Sequence, residues 1–67
     1  MQATNEVAAS LIGLDISAAM ATIKSNSLKL RVVEIDGEEL AHTQEFIPTR
    51  VNVAIEAGIV VEVKNLG

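Results

Sequence analysis

Cysteine is absent from this 67-residue chain, which removes disulfides, thiolate chemistry and most zinc sites together. Aromatic residues are nearly absent too: Phe46 stands alone, so there is no row of flat faces on which bases or sugars would stack. Basic residues are outnumbered, five against nine acids, and a net charge of −4 does not attract a phosphate backbone. Nucleic acid is therefore not an expected partner. A single histidine, His42, builds no metal site by itself, so neither metal nor cofactor is expected. The four glycines, at 13, 37, 58 and 67, are isolated, and none belongs to a phosphate-cradling loop. Residues 1–12 hold no basic run, and Asp15, Ser17 and Lys24 interrupt the apolar stretches that follow, so neither a signal peptide nor a membrane span is expected. A cytoplasmic location is the default expectation, with secretion the alternative if a leader has been removed.

What is present is apolar and small. Hydrophobic residues make up 49% of the chain, mostly Val, Ile, Leu and Ala, which pack densely without aromatic bulk. A chain of this length forms one domain, 1–67, and buries only roughly 60% of the surface that its unfolded form exposes.

The pattern changes near Asn26 from helical to strand-like. Val7, Ala8, Leu11 and Ile12 form a one-sided stripe that suits a short helix within segment 1–12, begun by Thr4 or Asn5 and ended by Gly13. Asp15 then stands where an N-cap belongs, ahead of Ile16, Ala19, Met20 and Ile23 at helical spacing, which predicts the main helix over 15–25. Lys24 complements the C-terminal dipole, and Asn26 is expected to take the left-handed stop conformation. Residues 28–35 alternate and then turn nearly all apolar, as a strand covered on one face and partly on the other would. Asp36-Gly37 closes that strand with a turn. Residues 50–56 alternate again, with Val51, Val53 and Ile55 on one face, and Ala57-Gly58 reverses the chain into a strand over 59–64. The expected fold is α+β.

Candidate catalytic groups do not converge. Glu38 and Glu39 are adjacent carboxylates, but neighbours on an extended chain point apart, and a solvated acidic loop is the simpler reading. His42 beside Thr43 suffers the same geometry, so neither pair makes an acid–base or nucleophilic centre. The chain is not expected to be an enzyme.

Residues 36–49 are more informative. This stretch is too long for a tight turn and too rich in β-branched and planar residues for a flexible linker. Pro48 fixes one φ and pushes Ile47 toward extended backbone, so the descending limb is expected to be extended, with one of Phe46 and Ile47 on the core rim and the other outward. Arg50 is placed to donate to Glu45 and to loop carbonyls, its guanidinium fork pinning the loop in one shape.

The order Thr43-x-Glu45-Phe46-x-Pro48-x-Arg50-Val51-Asn52-Val53 resembles the loop-to-strand pattern of the potato inhibitor I family of serine-protease inhibitors, and most closely that of its small bacterial relatives, many of which carry a cysteine pair that this chain lacks. The helical part, Leu11-Ile12-Gly13-x-Asp15-Ile16-x-x-Ala19-x-x-x-Ile23, is also similar to the family's. Together the likeness runs from Leu11 to Val63. It implies one main helix packed on a small mixed sheet, with a long exposed loop joining two parallel strands and a C-terminal antiparallel hairpin. It further implies that loop 36–49 enters a protease cleft in substrate-like form, through His42, Thr43, Gln44, Glu45 and Phe46. Gln44–Glu45 would be the reactive bond, Gln44 would fill the specificity pocket, and Arg50, Asn52 and Pro48 would support the loop. Asn52 stands where many plant members carry a second supporting arginine; asparagine is usual in the bacterial pattern.

A rival reading keeps the same fold for a non-protease protein partner or for self-association. Ile59-Val60-Val61-Glu62-Val63 reads as a flat apolar strand able to pair at a sheet edge, so a monomer and a weak homo-oligomer are both open.

Overall fold

The computed structural model describes residues 5–43 and 45–66. Two helices come first, α1 (Asn5–Leu11) and α2 (Ile16–Ser25), then four strands: β1 (Lys29–Ile35), β2 (Glu38–Glu39), β3 (Arg50–Glu56) and β4 (Ile59–Leu66). The sheet order is β2-β1-β3-β4, with β1 and β3 parallel and the two outer pairs antiparallel. The fold is α+β, as the sequence pattern implies, and the sheet is mixed, as the resemblance implies.

Asp15 caps α2. Its carboxylate accepts from the Ala18 N–H at 2.8 Å, satisfying one donor that the first turn leaves without a helical partner. The helix ends at Ser25, as expected, but the left-handed residue lies one position later than expected. Asn26 has φ −104, and it is Ser27, at φ 55, that takes the left-handed conformation. The Leu28 N–H then reaches back to the Ile23 carbonyl at 3.0 Å and the Ser27 N–H to that of Lys24 at 3.1 Å. These two bonds form a Schellman stop, and they bring Leu28 and Ile23, both buried, to the same place. Thr4, a candidate start for α1, lies outside the described residues.

One face of the sheet carries the core. Leu11 of α1, Ala19 and Ile23 of α2, Val51, Val53 and Ile55 of β3 and Val60 of β4 pack as one buried cluster, with Leu30, Val32, Val63 and Leu66 at its margin. The interruption between the helices also serves the sheet, since the Gly13 N–H donates to the Val60 carbonyl and the Val60 N–H to the Leu14 carbonyl, both at 2.8 Å. The first part of the β4 edge is thereby covered. Register shifts follow at Ala54/Ile55 and Asn52/Val53, so the remainder of that edge is bulged rather than flat.

Two turns share one geometry. Asp36 and Gly37 have φ 50 and 84, Ala57 and Gly58 have φ 49 and 78, and each pair joins antiparallel strands. Both residues of each turn lie at positive φ, the arrangement that matches the twist of the flanking strands. The turns are tied together, because the Asp36 carboxylate accepts from the Ala57 N–H at 2.8 Å.

The long connection follows from the topology. Parallel neighbours start at the same end of the sheet, so the chain leaving β1 must travel back the length of a strand, roughly 23 Å for seven residues, before β3 begins. Segment 36–49 makes that return. It is not all loop: Glu38 and Glu39 pair with Ile35 and Glu34 as β2, and the Leu40 N–H donates to the Val33 carbonyl at 2.9 Å. The rising limb is thus guided along β1 rather than hanging free.

Candidate functional site

The return segment arrives at the end of the sheet where β1 and β3 begin and β4 finishes. Two arginines meet it there, one from each parallel strand. Arg50 opens β3 and is only 8% exposed. Its Nη2 donates to the Glu45 carbonyl at 2.8 Å, and its Nη1 lies 3.5 Å from the Glu45 carboxylate. The guanidinium therefore holds residue 45 by backbone and side chain at once. Its value is geometric, since the Glu45 side chain is 54% exposed and such a pair adds little energy by charge alone.

Arg31 of β1 holds the other limb. Its Nη1 donates to the Thr43 carbonyl at 3.2 Å and to the Thr43 hydroxyl at 3.3 Å, while its Nε donates to Asn52 Oδ1 at 2.8 Å. Asn52, 2% exposed on the central strand, donates in turn to Asn65 Oδ1 on β4. The side-chain hydrogen bonds of Asn52 go to Arg31 and Asn65, so its support of the loop is indirect. It positions a guanidinium instead of replacing one.

Thr43 and Glu45 also meet each other. A hydrogen bond from the Thr43 side chain is the chief cause that holds the Glu45 carboxyl below its ordinary value. Partial desolvation opposes it, and the Arg50 guanidinium adds to it by hydrogen bond and charge. Thr43 and Arg50 thus both favour the charged form of this carboxylate.

The descending limb does not run extended into the strand but ends in a turn. Pro48 and Thr49 form a turn closed by the Arg50 N–H donating to the Ile47 carbonyl at 3.0 Å. Proline suits the second position of such a turn because its fixed φ already matches. The Thr49 carbonyl then accepts from the Lys29 N–H at 2.7 Å, fastening the end of the loop to the start of β1. Phe46 is 72% exposed and Ile47 is partly buried, the outward and inward pair anticipated from their alternation.

The remaining candidates are simply placed. His42 is exposed, with Nδ1 2.9 Å from the Leu40 carbonyl two residues back. Glu38 and Glu39 lie exposed on β2. Gln44, between the two clamped residues, lies outside the described residues. Among the described residues no group of three or more His, Cys, Asp or Glu side chains is arranged to hold a metal ion, and no helix is long and apolar enough to cross a membrane.

Two members of the cluster, Arg31 and Asn65, are not singled out by sequence reasoning. The one available signal is strand phase: Arg31 and Asn52 fall in register on adjacent strands, with Asn65 next in the row. That row becomes visible only when the pairing is known.

A second concave region lies away from the loop, an apolar groove of about 470 Å³ between Ala8 and Ala9 of α1, Ile12 just beyond it, and Val61, Val63 and Leu66 of β4.

No family model matches this chain, and no curated protein or solved structure is significantly similar to it.

Proposed function

We propose that this chain is a potato inhibitor I-like binding module that presents loop 36–49 to a serine protease in substrate-like form. The observation that carries the reading is the double clamp. Thr43 and Glu45, the residues flanking position 44, are held by guanidiniums rooted on two hydrogen-bonded parallel strands. A loop held on both sides of one residue loses little freedom on entering a cleft, where ordering a free side chain costs about 0.5–1.5 kcal/mol. It also keeps the two ends together if the bond between Gln44 and Glu45 is cut.

The exposed Phe46 adds a contact for the partner. It is the lone aromatic and is mostly in solvent, on a segment whose neighbour Glu45 is fixed. Aromatic anchors on preorganised segments contribute heavily to protein–protein binding. Self-association through β4 has less support, because Gly13 and Leu14 already occupy the start of that edge and bulges interrupt the rest.

Inhibition constants against a panel of serine proteases, including elastase, subtilisin and a glutamyl-specific enzyme, test the proposal. Saturable inhibition by the intact chain at micromolar concentration or below is expected. Absence of inhibition throughout, with the loop digested as an ordinary substrate, would overturn it.

A further inference from the structure

We propose that Asn65, on the outer strand β4, is a positioning residue for the loop, acting through Asn52 and Arg31 to fix the limb that carries Thr43. The geometry gives a continuous line of side chains across three strands. Asn52 donates from Nδ2 to Asn65 Oδ1, Arg31 donates from Nε to Asn52 Oδ1, and Arg31 Nη1 donates to the carbonyl and hydroxyl of Thr43.

The chemistry of the amide makes the order of these bonds matter. An asparagine side chain has one accepting end and one donating end, and Arg31 offers donors only. Asn52 serves Arg31 only while its oxygen faces that way. Asn65 fixes this orientation by supplying an acceptor for the opposite end. Without that acceptor the Asn52 amide is free to turn, and turning would aim an NH2 group at a guanidinium. In the intact protein Asn52 is 2% exposed, so this end of the amide is satisfied by Asn65 and not by bulk water.

The relay is separate from the Arg50 clamp, which reaches Glu45 directly from β3. Loss of the relay therefore loosens the Thr43 limb more than the Glu45 limb, which Arg50 still holds. In its consequence for protease binding this inference rests on the reading above. In its structural step it does not, because the free protein carries every group involved.

Backbone 15N relaxation on the free full chain tests it, comparing wild type with R31A, N65A, N65L and N65D. Rigid backbone gives order parameters near 0.85 and flexible backbone below about 0.6. The wild-type limb at 41–43 is expected in the rigid range. R31A, N65A and N65L should each bring it below about 0.6, while Glu45–Ile47 stay rigid under the Arg50 clamp. N65D keeps an acceptor at the same place and should leave both limbs as in wild type. Asn65 is exposed, so the variants should fold, and N65L backs N65A with a bulkier side chain that likewise offers no acceptor. An unchanged 41–43 limb in both acceptor-free variants would overturn the relay, as would equal loosening of both limbs or loosening by N65D. If the relay holds in a protein that inhibits no protease, the inhibitor reading fails and the relay stands.

Discussion

Strand β3 is buried along both of its faces, but the two faces are buried by different means. Val51, Val53 and Ile55 pack under α1 and α2 in an apolar cluster. Arg50, Asn52 and Ala54 alternate with them and are equally hidden, yet Arg50 and Asn52 are covered through hydrogen-bonded side chains that lead to the loop. The first set needs only to be apolar and of about the right size. The second needs particular groups in particular orientations, because each buried donor or acceptor must find its partner. One strand thus joins a tolerant face that holds the fold to an exacting face that holds the loop, and damage to each should show up in different measurements.

Truncating the tolerant side should cost most. Ile23→Ala removes a fully buried side chain from α2 and should lower unfolding free energy by about 3 kcal/mol, read by urea denaturation. Loop clamping should persist in whatever fraction remains folded. On the exacting side, Arg50→Ala should cost about 2 kcal/mol, from charge-assisted hydrogen bonding and lost packing of the buried stem. Its larger consequence should be conversion of the loop into a readily cut substrate, read by cleavage rate. Equal loss of stability and unchanged cleavage would erase the distinction between the faces.

Two smaller changes sharpen the comparison by touching neither face. Ser27 and Ala57 occupy left-handed backbone without being glycine, a conformation that costs L-residues roughly 1–2 kcal/mol. Ser27→Gly and Ala57→Gly should each raise stability by about 0.5 kcal/mol once the extra freedom of glycine in the unfolded chain is deducted. Thermal melts of the single and double variants check this, and cleavage of the loop should not change.

The smallest effect is one of pH. The Glu45 carboxyl is held below its ordinary value in the folded protein, first by Thr43 and then by Arg50. Its contribution to stability is therefore present above the ordinary glutamate range and is lost as pH falls through the lowered folded value. Glu45→Gln should remove that part of the acid dependence, and NMR titration of the Glu45 side chain would show whether its midpoint lies below that of a free glutamate.

Local chemistry made much of this legible. The Asp15 cap, the period of α2, the alternation in β3 and the Ala57-Gly58 reversal each depend on residues within a few positions of one another. Misreadings arose where a choice depended on the next turn or strand. Asn26 is the better left-handed residue by type, but the Ile23–Leu28 contact places that conformation at Ser27. Glu38-Glu39 has no strand propensity to speak of, and it pairs because the Asp36-Gly37 turn delivers it to β1. Pro48 was legible as a stiffener, while its place in a closed turn depends on the Arg50 N–H. The Arg50–Glu45 geometry lies within a short stretch and could be anticipated. Arg31, Asn52 and Asn65 are brought together by strand register alone, which no local pattern encodes.

The central claim is that residues on both sides of position 44 are clamped so that a protease finds the loop ready-made and cannot easily part its ends. Mass spectrometry of the intact chain during incubation with an active serine protease from that panel tests this most directly. A single slow cut between Gln44 and Glu45, with both fragments remaining together in the protease complex, is the predicted result. Rapid cutting at several bonds of loop 36–49, with the fragments released, would contradict it.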